Sequence, residues 1–234
     1  MIPLDVPDRA TRITTTCQRV KDFLKSSGAL WSWSGHAHIA ELASGRLSNF
    51  YADCSPMFTN VRLQDAAGEA LTLLEDLCCD GNFWIVAVSP GAAGLAQSIG
   101  RASGLHPAYI EPGGKLGLRR FDLGKSPTVW VCDDVVTTGG TIITARKAIL
   151  EAHPDAELAD PVLVVIDRRE IERLPKEQAG MKITSLMRPI ARTWMNKRTL
   201  PLRMQSCKPL RPKGNWRRLN EEMLEDDRCS NYES

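Results

Sequence analysis

The chain has 234 residues, of which 43% are hydrophobic and 25% charged, enough for one core with a modest appendage and too few for two full-size domains. This composition excludes wholesale disorder, a collagen-like repeat and a coiled-coil rod. No apolar run approaches the roughly 18 residues of a bilayer-spanning helix, and the first residues lack the basic-then-apolar order of a secretory signal, so the expected compartment is the cytoplasm. The net charge of +2 hides a segregation: residues 191–218 carry nine basic side chains and no acidic one, and residues 219–234 carry six acids and one base.

In chain order, Ile13, Cys17, Val20 and Leu24 recur at three- and four-residue steps and predict an amphipathic helix over 11–25. The stripe Leu63, Ala67, Ala70, Leu71, Leu74 and Leu77 predicts a second helix over 61–77. The apolar run FWIVAV at 83–88, bounded by Gly81-Asn82 and Ser89-Pro90-Gly91, has the signature of a strand buried on both faces. A helix over 92–103, strands over 108–110 and 128–132, a helix over 140–153 and strands over 162–167 and 182–186 continue the alternation. Such an order describes an α/β domain, a mostly parallel sheet flanked by helices with right-handed crossovers. Its ligands are expected beyond the carboxyl ends of the strands. Beyond Pro189 the periodicity fades and Pro201, Pro209 and Pro212 punctuate the basic block, which reads as a loosely ordered extension.

The most informative stretch is Thr128 to Thr141, TVWVCDDVVTTGGT: a buried strand ending in two carboxylates, a hydroxyl- and glycine-rich turn, then a helix. The turn gathers the hydroxyls of Thr137, Thr138 and Thr141 and the amides around Gly139 and Gly140 at a helix N-terminus, where partial positive charge favours a phosphate. Asp133 and Asp134, one step earlier, are placed to accept hydrogen bonds from sugar hydroxyls or to hold hydrated Mg2+. A ribose 5-phosphate fits both ends. A Walker loop is excluded, because no Gly-Lys-[Ser/Thr] follows the glycines.

Here the sequence resembles the type I phosphoribosyltransferases, whose phosphoribosyl pyrophosphate motif has this hydrophobic-run, Asp-Asp, Thr-Gly form. Two further stretches are similar to orotate phosphoribosyltransferase. Ser44-Gly45-Arg46-Leu47-Ser48-Asn49-Phe50-Tyr51 looks like its N-terminal hood segment, which implies base contacts from Ser44, Phe50 and Tyr51. Asp167-Arg168-Arg169-Glu170 looks like its Asp-Arg-x-Glu, which implies that Arg168 binds the base. A guanidinium fork suits an oxo or carboxylate group, and the alternative is a surface arginine paired with Asp167 or Glu170. The turn Ser89-Pro90-Gly91-Ala92-Ala93-Gly94 suits a pyrophosphate at Ser89 and Gly91, or else tight helix packing. The glycine-rich basic segment 111–121 reads as a lid carrying Lys115 and Arg119 or Arg120 onto the leaving pyrophosphate, or as a solvated hairpin.

The resemblance spans about residues 35–170; the expected division is an N-terminal helix and small hood at 1–60, an α/β core at 61–190, and a basic then acidic extension at 191–234 that is additional to the family. The resemblance also implies a homodimer, phosphoribosyl pyrophosphate and a nucleobase as substrates with orotate favoured, Mg2+ as cofactor, and catalysis by Asp133, Asp134 and Lys115. The chain departs from the family at Ala43, where a lysine is usual, and in the lid, which lacks the usual basic pair and histidine. The seven cysteines contain no C-x-x-C pair, which speaks against a zinc module or a disulfide framework. The four histidines, including His36 and His38, are expected in structural or solvent-facing roles, and Trp31 and Trp33 as packing residues. The basic block suits RNA or another polyanion, and equally suits pairing with the acidic tail.

Overall fold

A computed structural model describes residues 8–42, 44–77, 81–111 and 117–230, the last seven by backbone alone. Helix α1 (Arg9–Ser26) precedes the short strands β1 (Leu30–Ser32), β2 (His38–Glu41), β3 (Leu47–Ser48) and β4 (Phe50–Ala52). The one-turn α2 (Ser55–Phe58) and α3 (Val61–Glu75) lead into β5 (Phe83–Ala87), α4 (Ala93–Ser103), β6 (His106–Tyr109), β7 (Thr128–Val136), α5 (Gly140–Ala152) and β8 (Glu157–Leu158). Then come β9 (Val162–Asp167), α6 (Lys176–Ala179), β10 (Ile183–Met187), β11 (Thr193–Trp194), β12 (Lys208–Leu210) and α7 (Trp216–Ser230).

The chain divides into two compact units, Met1–Leu24 with Cys54–Arg188, and Lys25–Asp53 with Pro189–Ser234. The first holds a six-stranded parallel sheet in the order β10-β9-β7-β5-β6, with β8 pairing the start of β7. The run VLVVID of β9 is buried at every position, as a strand covered on both faces requires. Val86, Val131, Ile142, Ile149 and Val164 belong to one core cluster that joins the sheet to α5. Burying side chains of this size contributes about 1.5–3 kcal/mol each. Strand β7 runs to Val136, four residues past the expected end, because its carboxylate-bearing half stays in register with β9.

The second unit corrects the expected division of the chain. Residues from 189 onward are not a loose extension: β11 pairs β3, β12 pairs β2 in parallel, and the four strands form a sheet in the order β11-β3-β2-β12. Adjacent residues of a strand face opposite sides. On one side, Ile39 and Leu47 pack with Leu200, Met204 and Cys207. On the other, Trp31 and Ala40 pack with Leu219 of α7, beside Trp216. Strands of two or three residues and isolated 3-10 turns are shorter than any window in which periodicity registers. Helix α1, expected to belong with the hood, lies almost wholly in the first unit, where Arg9 pairs with Asp76 and Arg12 with Glu69.

His36 and His38 are buried in the second unit, and His38 Nδ1 lies 2.5 Å from Glu222. Trp31 is fully buried, so the packing role expected of it holds. Among the described residues no helix is long and apolar enough to cross a membrane.

Candidate functional site

Strands β5 and β7 are neighbours, yet the chain leaves β5 for β6 on one side and β7 for β9 on the other. Their carboxyl ends therefore flank the point where the strand order reverses, which is where an open parallel sheet leaves a crevice. Both phosphate-type turns of the sequence emerge there.

Ser89, directly after β5, donates its hydroxyl to Asp133 Oδ1 at 3.0 Å and accepts the Ala92 amide at 3.2 Å. The same Asp133 oxygen accepts the amide of Asp134 at 3.1 Å. Asp134 Oδ1 accepts the Val135 amide at 2.8 Å, and its Oδ2 would lie 4.0 Å from a Cβ placed on Gly91. Gly91 thus lies within van der Waals reach of the carboxylate, and a Cβ there would meet no close contact. Gly94, three residues on, serves packing instead, since a Cβ there would collide with Gln64 of α3. Of the small residues of 89–94, Ser89 thus contacts a carboxylate and Gly94 permits the close helix packing expected of the turn.

Asp133 is 8% exposed. Burial and the neighbouring Asp134 charge push its pKa up to about 7, against the opposing pull of the Ser89 hydrogen bond. Cys132, directly before the pair, is fully buried, and burial together with the two carboxylates drives its thiol well above the usual range. It is no nucleophile at neutral pH.

Past the strand, Thr137 and Thr138 are exposed, Gly139 caps α5 in the left-handed region at φ +85°, and Thr138 Oγ1 accepts the Gly140 amide at 3.4 Å. A side chain at position 139 would be strained by this backbone. It would also meet Met181, whose Cε lies 3.1 Å from the Cβ position. No side chain caps α5, so first-turn amides, including that of the exposed Thr141, have no acceptor within the helix. These amides sit one turn from two carboxylates: an acceptor-rich end for hydroxyls and a donor-rich end for phosphate.

The structure therefore brings together Ser89, Gly91, Asp133, Asp134, Thr137, Thr138, Gly139, Gly140 and Thr141. Arg168 follows β9 with its amide donating to Val136 O at 3.0 Å, and the residue is only 5% exposed. Arg119 is exposed. At the flanks of 112–116, the Glu111 amide donates to Gly117 O at 3.0 Å, and Arg120 Nε lies 3.1 Å from Glu111. Lys115 and Ala43 lie outside the described residues. Ser44, Phe50 and Tyr51 belong to the second unit: Ser44 is exposed, Phe50 is buried in β4, and Tyr51 packs against Trp216 at 5.3 Å between ring centroids.

One supporting residue escaped sequence reasoning. Arg169 is 8% exposed and grips Asp167 with two bonds, Nε to Oδ1 at 3.0 Å and Nη2 to Oδ2 at 3.1 Å. Its Nη1 donates to the carbonyls of Gln178 and Met181 at 2.9 and 3.2 Å. The arginine that pairs with Asp167 is thus Arg169, and it anchors the segment whose Met181 backs Gly139. In the sequence it is the second of two adjacent arginines, and only the orientation of the chain after β9 distinguishes them.

No family model matches the chain. An orotate phosphoribosyltransferase from Rhodopseudomonas palustris (strain BisB18) is 34% identical over 158 residues, which make up 62% of this chain and 82% of that relative. The chain belongs to the orotate phosphoribosyltransferase family. The fold agrees: the orotate phosphoribosyltransferase of Aeropyrum pernix superposes with a TM-score of 0.52 at 23% identity, covering 72% of this chain and 93% of that one. The Mycobacterium tuberculosis H37Rv orotate phosphoribosyltransferase in complex with 5-phospho-alpha-D-ribosyl 1-diphosphate superposes with a TM-score of 0.51 at 20% identity, covering 74% of this chain and 96% of that one. The family is one of pentosyltransferases; this chain carries its Asp-Asp turn at the strand-order reversal, and its C-terminal strands β11 and β12 belong to the small sheet.

Proposed function

We propose that the protein transfers the phosphoribosyl group of phosphoribosyl pyrophosphate to orotate, giving orotidine 5-phosphate and pyrophosphate in pyrimidine nucleotide synthesis. The observation that carries this reading is the pairing, at one crevice, of the Ser89-bonded Asp133 and Asp134 with the uncapped amide end of α5. The carboxylates accept the 2- and 3-hydroxyls of the ribose, and the amides and hydroxyls of Thr137 to Thr141 hold its 5-phosphate.

In the reaction a ring nitrogen of the base supplies the electron pair for the new bond to carbon 1 while the bond to pyrophosphate oxygen breaks, its pair leaving with pyrophosphate. No side-chain nucleophile is needed. Catalysis is positioning and electrostatics: carboxylates beside a ribosyl centre that gains positive character, and a fixed 5-phosphate that orients it. Ser89 and Gly91 line the pyrophosphate side, with Lys115 and Arg119 brought by the lid. Arg168 orients the base.

Mg2+ fits this arrangement in a particular way. Among the described residues no three potential ligands gather into a protein cage, and Asp133 is already engaged by Ser89. Two carboxylates suit a hydrated magnesium ion whose remaining ligands come from substrate oxygens. When bound, it neutralises charge on the departing pyrophosphate. Asp133 and Asp134 would hold it through water. We extend the proposal to a cytoplasmic homodimer, on the family resemblance alone.

The test is direct. Purified protein is incubated with phosphoribosyl pyrophosphate, Mg2+ and a panel of orotate, uracil, adenine, guanine and hypoxanthine, and both nucleotide and pyrophosphate are followed. Orotidine 5-phosphate formed in step with pyrophosphate is the expected result. Turnover with a purine only would reassign the acceptor, and the altered lid and Ala43 would then account for the change. Failure of every base would refute the transferase reading.

A further inference from the structure

Nine cations in residues 191–218 with no acid among them are unexplained by the transferase site, and the second unit sorts them into two groups. Arg211 pairs with Glu41, Arg217 with Glu221, and Arg218 approaches Glu222 at 3.9 Å. Among the described residues, only the last two pairs join the block to the acidic tail. Arg192, Lys197, Arg198, Arg203, Lys208 and Lys213 are all exposed, and no ion pair engages them among the described residues.

Their placement follows from packing. Residues 195–207 form a strap between edge strands β11 and β12, pinned to one face of the small sheet by Leu200, Met204 and Cys207 against Ile39 and Leu47. With Leu200, Met204 and Cys207 turned inward, the strap leaves Lys197, Arg198 and Arg203 exposed. Arg203 Cζ lies 5.4 Å from the ring centroid of Trp33. Its guanidinium thus lies over the indole, within cation–π range, while the residue remains exposed.

We infer that this strap is a docking surface for single-stranded nucleic acid, with phosphodiester groups on Arg192, Lys197 and Arg198 and a base stacked against Arg203. Unpaired cations along an extended path suit a phosphate backbone, and an arginine held over an aromatic ring suits an unstacked base. A bilayer surface fits less well. Ile190, Met195 and Leu202 are exposed, but between 191 and 215 the described residues include no helix longer than a single 3-10 turn, so no amphipathic helical face is offered for insertion.

The test is fluorescence anisotropy of the full chain with labelled oligouridine and oligodeoxythymidine of about 12 nucleotides, between about 50 and 200 mM KCl. Three phosphate contacts at a slope of about −0.7 each predict roughly 20-fold weaker binding over that range. Lys197→Gln with Arg198→Gln, both exposed and able to fold, should flatten the logarithmic slope by about 1.4. Arg203→Lys should weaken binding at unchanged slope, because it keeps charge and loses the stacking plane. Preference between the two oligomers identifies RNA or DNA as the occupant. An unchanged slope in the double variant overturns the inference. So does displacement of the oligomer by phosphoribosyl pyrophosphate, which would put it in the phosphate turn. Equal or tighter binding of polyglutamate or of phosphatidylserine vesicles would assign the surface to an acidic protein or a bilayer, and likewise overturn it.

Discussion

The two units of this chain are stabilised in opposite ways. In the first, long apolar strands buried on both faces make a continuous sheet, and the polar groups that matter are confined to the carboxyl ends of β5 and β7. In the second, strands of two to four residues cannot hold a sheet alone, and tryptophans, α7 and the strap 195–207 seal its faces. A rigid scaffold under a small polar crevice can hold a sugar phosphate to within the tolerance that chemistry needs. A patchwork of short pieces supports surface recognition, where tolerance is wider.

The sharpest way to break this contrast is to remove the charges of the crevice. Asp133→Asn with Asp134→Asn is expected to lower turnover by at least about 100-fold, within the range found when aimed electrostatic partners are lost, as read by pyrophosphate release. A double variant near the wild-type rate would detach the carboxylates from the ribose. In the other unit, Leu200→Ala should cost about 2–5 kcal/mol of stability in denaturant unfolding, because Leu200 is 3% exposed at the centre of the strap's anchorage. Its affinity for phosphoribosyl pyrophosphate should stay within twofold of wild type, and a parallel loss would show that the units do not divide the work. Arg168→Ala is expected to raise the Michaelis constant for the base by about tenfold, the loss of one charge-assisted contact, while that for phosphoribosyl pyrophosphate hardly moves. An unchanged constant for the base would clear Arg168 of the role.

The smallest effect is also the most discriminating in sign. Asp133 titrates near 7 in the folded chain against about 4 when unfolded, so the folded state holds its proton more tightly. The stability this contributes is present below about pH 4 and is lost as pH rises through 7. Asp133→Asn should therefore raise the melting temperature at pH 8 by a few degrees, at about 2–4 °C per kcal/mol recovered, and leave it unchanged near pH 4. A variant that melts lower at pH 8 would mean that Asp133 is stabilised as a charge.

Much of the first unit was legible in sequence because its signals are long. The runs at 83–88 and 162–167 and the stripe of α3 each fill a window in which periodicity registers. The Asp-Asp turn was legible because its residue types are few and its spacing tight. Less visible were the contacts that hold it: Ser89 on Asp133 spans 44 residues, and Arg169 on the Met181 carbonyl spans 12. The region beyond Pro189 reads as loose in sequence because its order comes from pairing with residues 38–48, more than 140 positions earlier, and local periodicity carries no trace of such partners.

The central claim concerns one crevice, and a crystal structure with phosphoribosyl pyrophosphate and Mg2+ tests it most directly. The predicted result is the ribose hydroxyls within about 2.7–3.2 Å of Asp133 and Asp134, with the 5-phosphate on the amides between Thr138 and Thr141. Ligand bound elsewhere on the chain, or a sugar turned so that its hydroxyls face away from both carboxylates, would contradict the account.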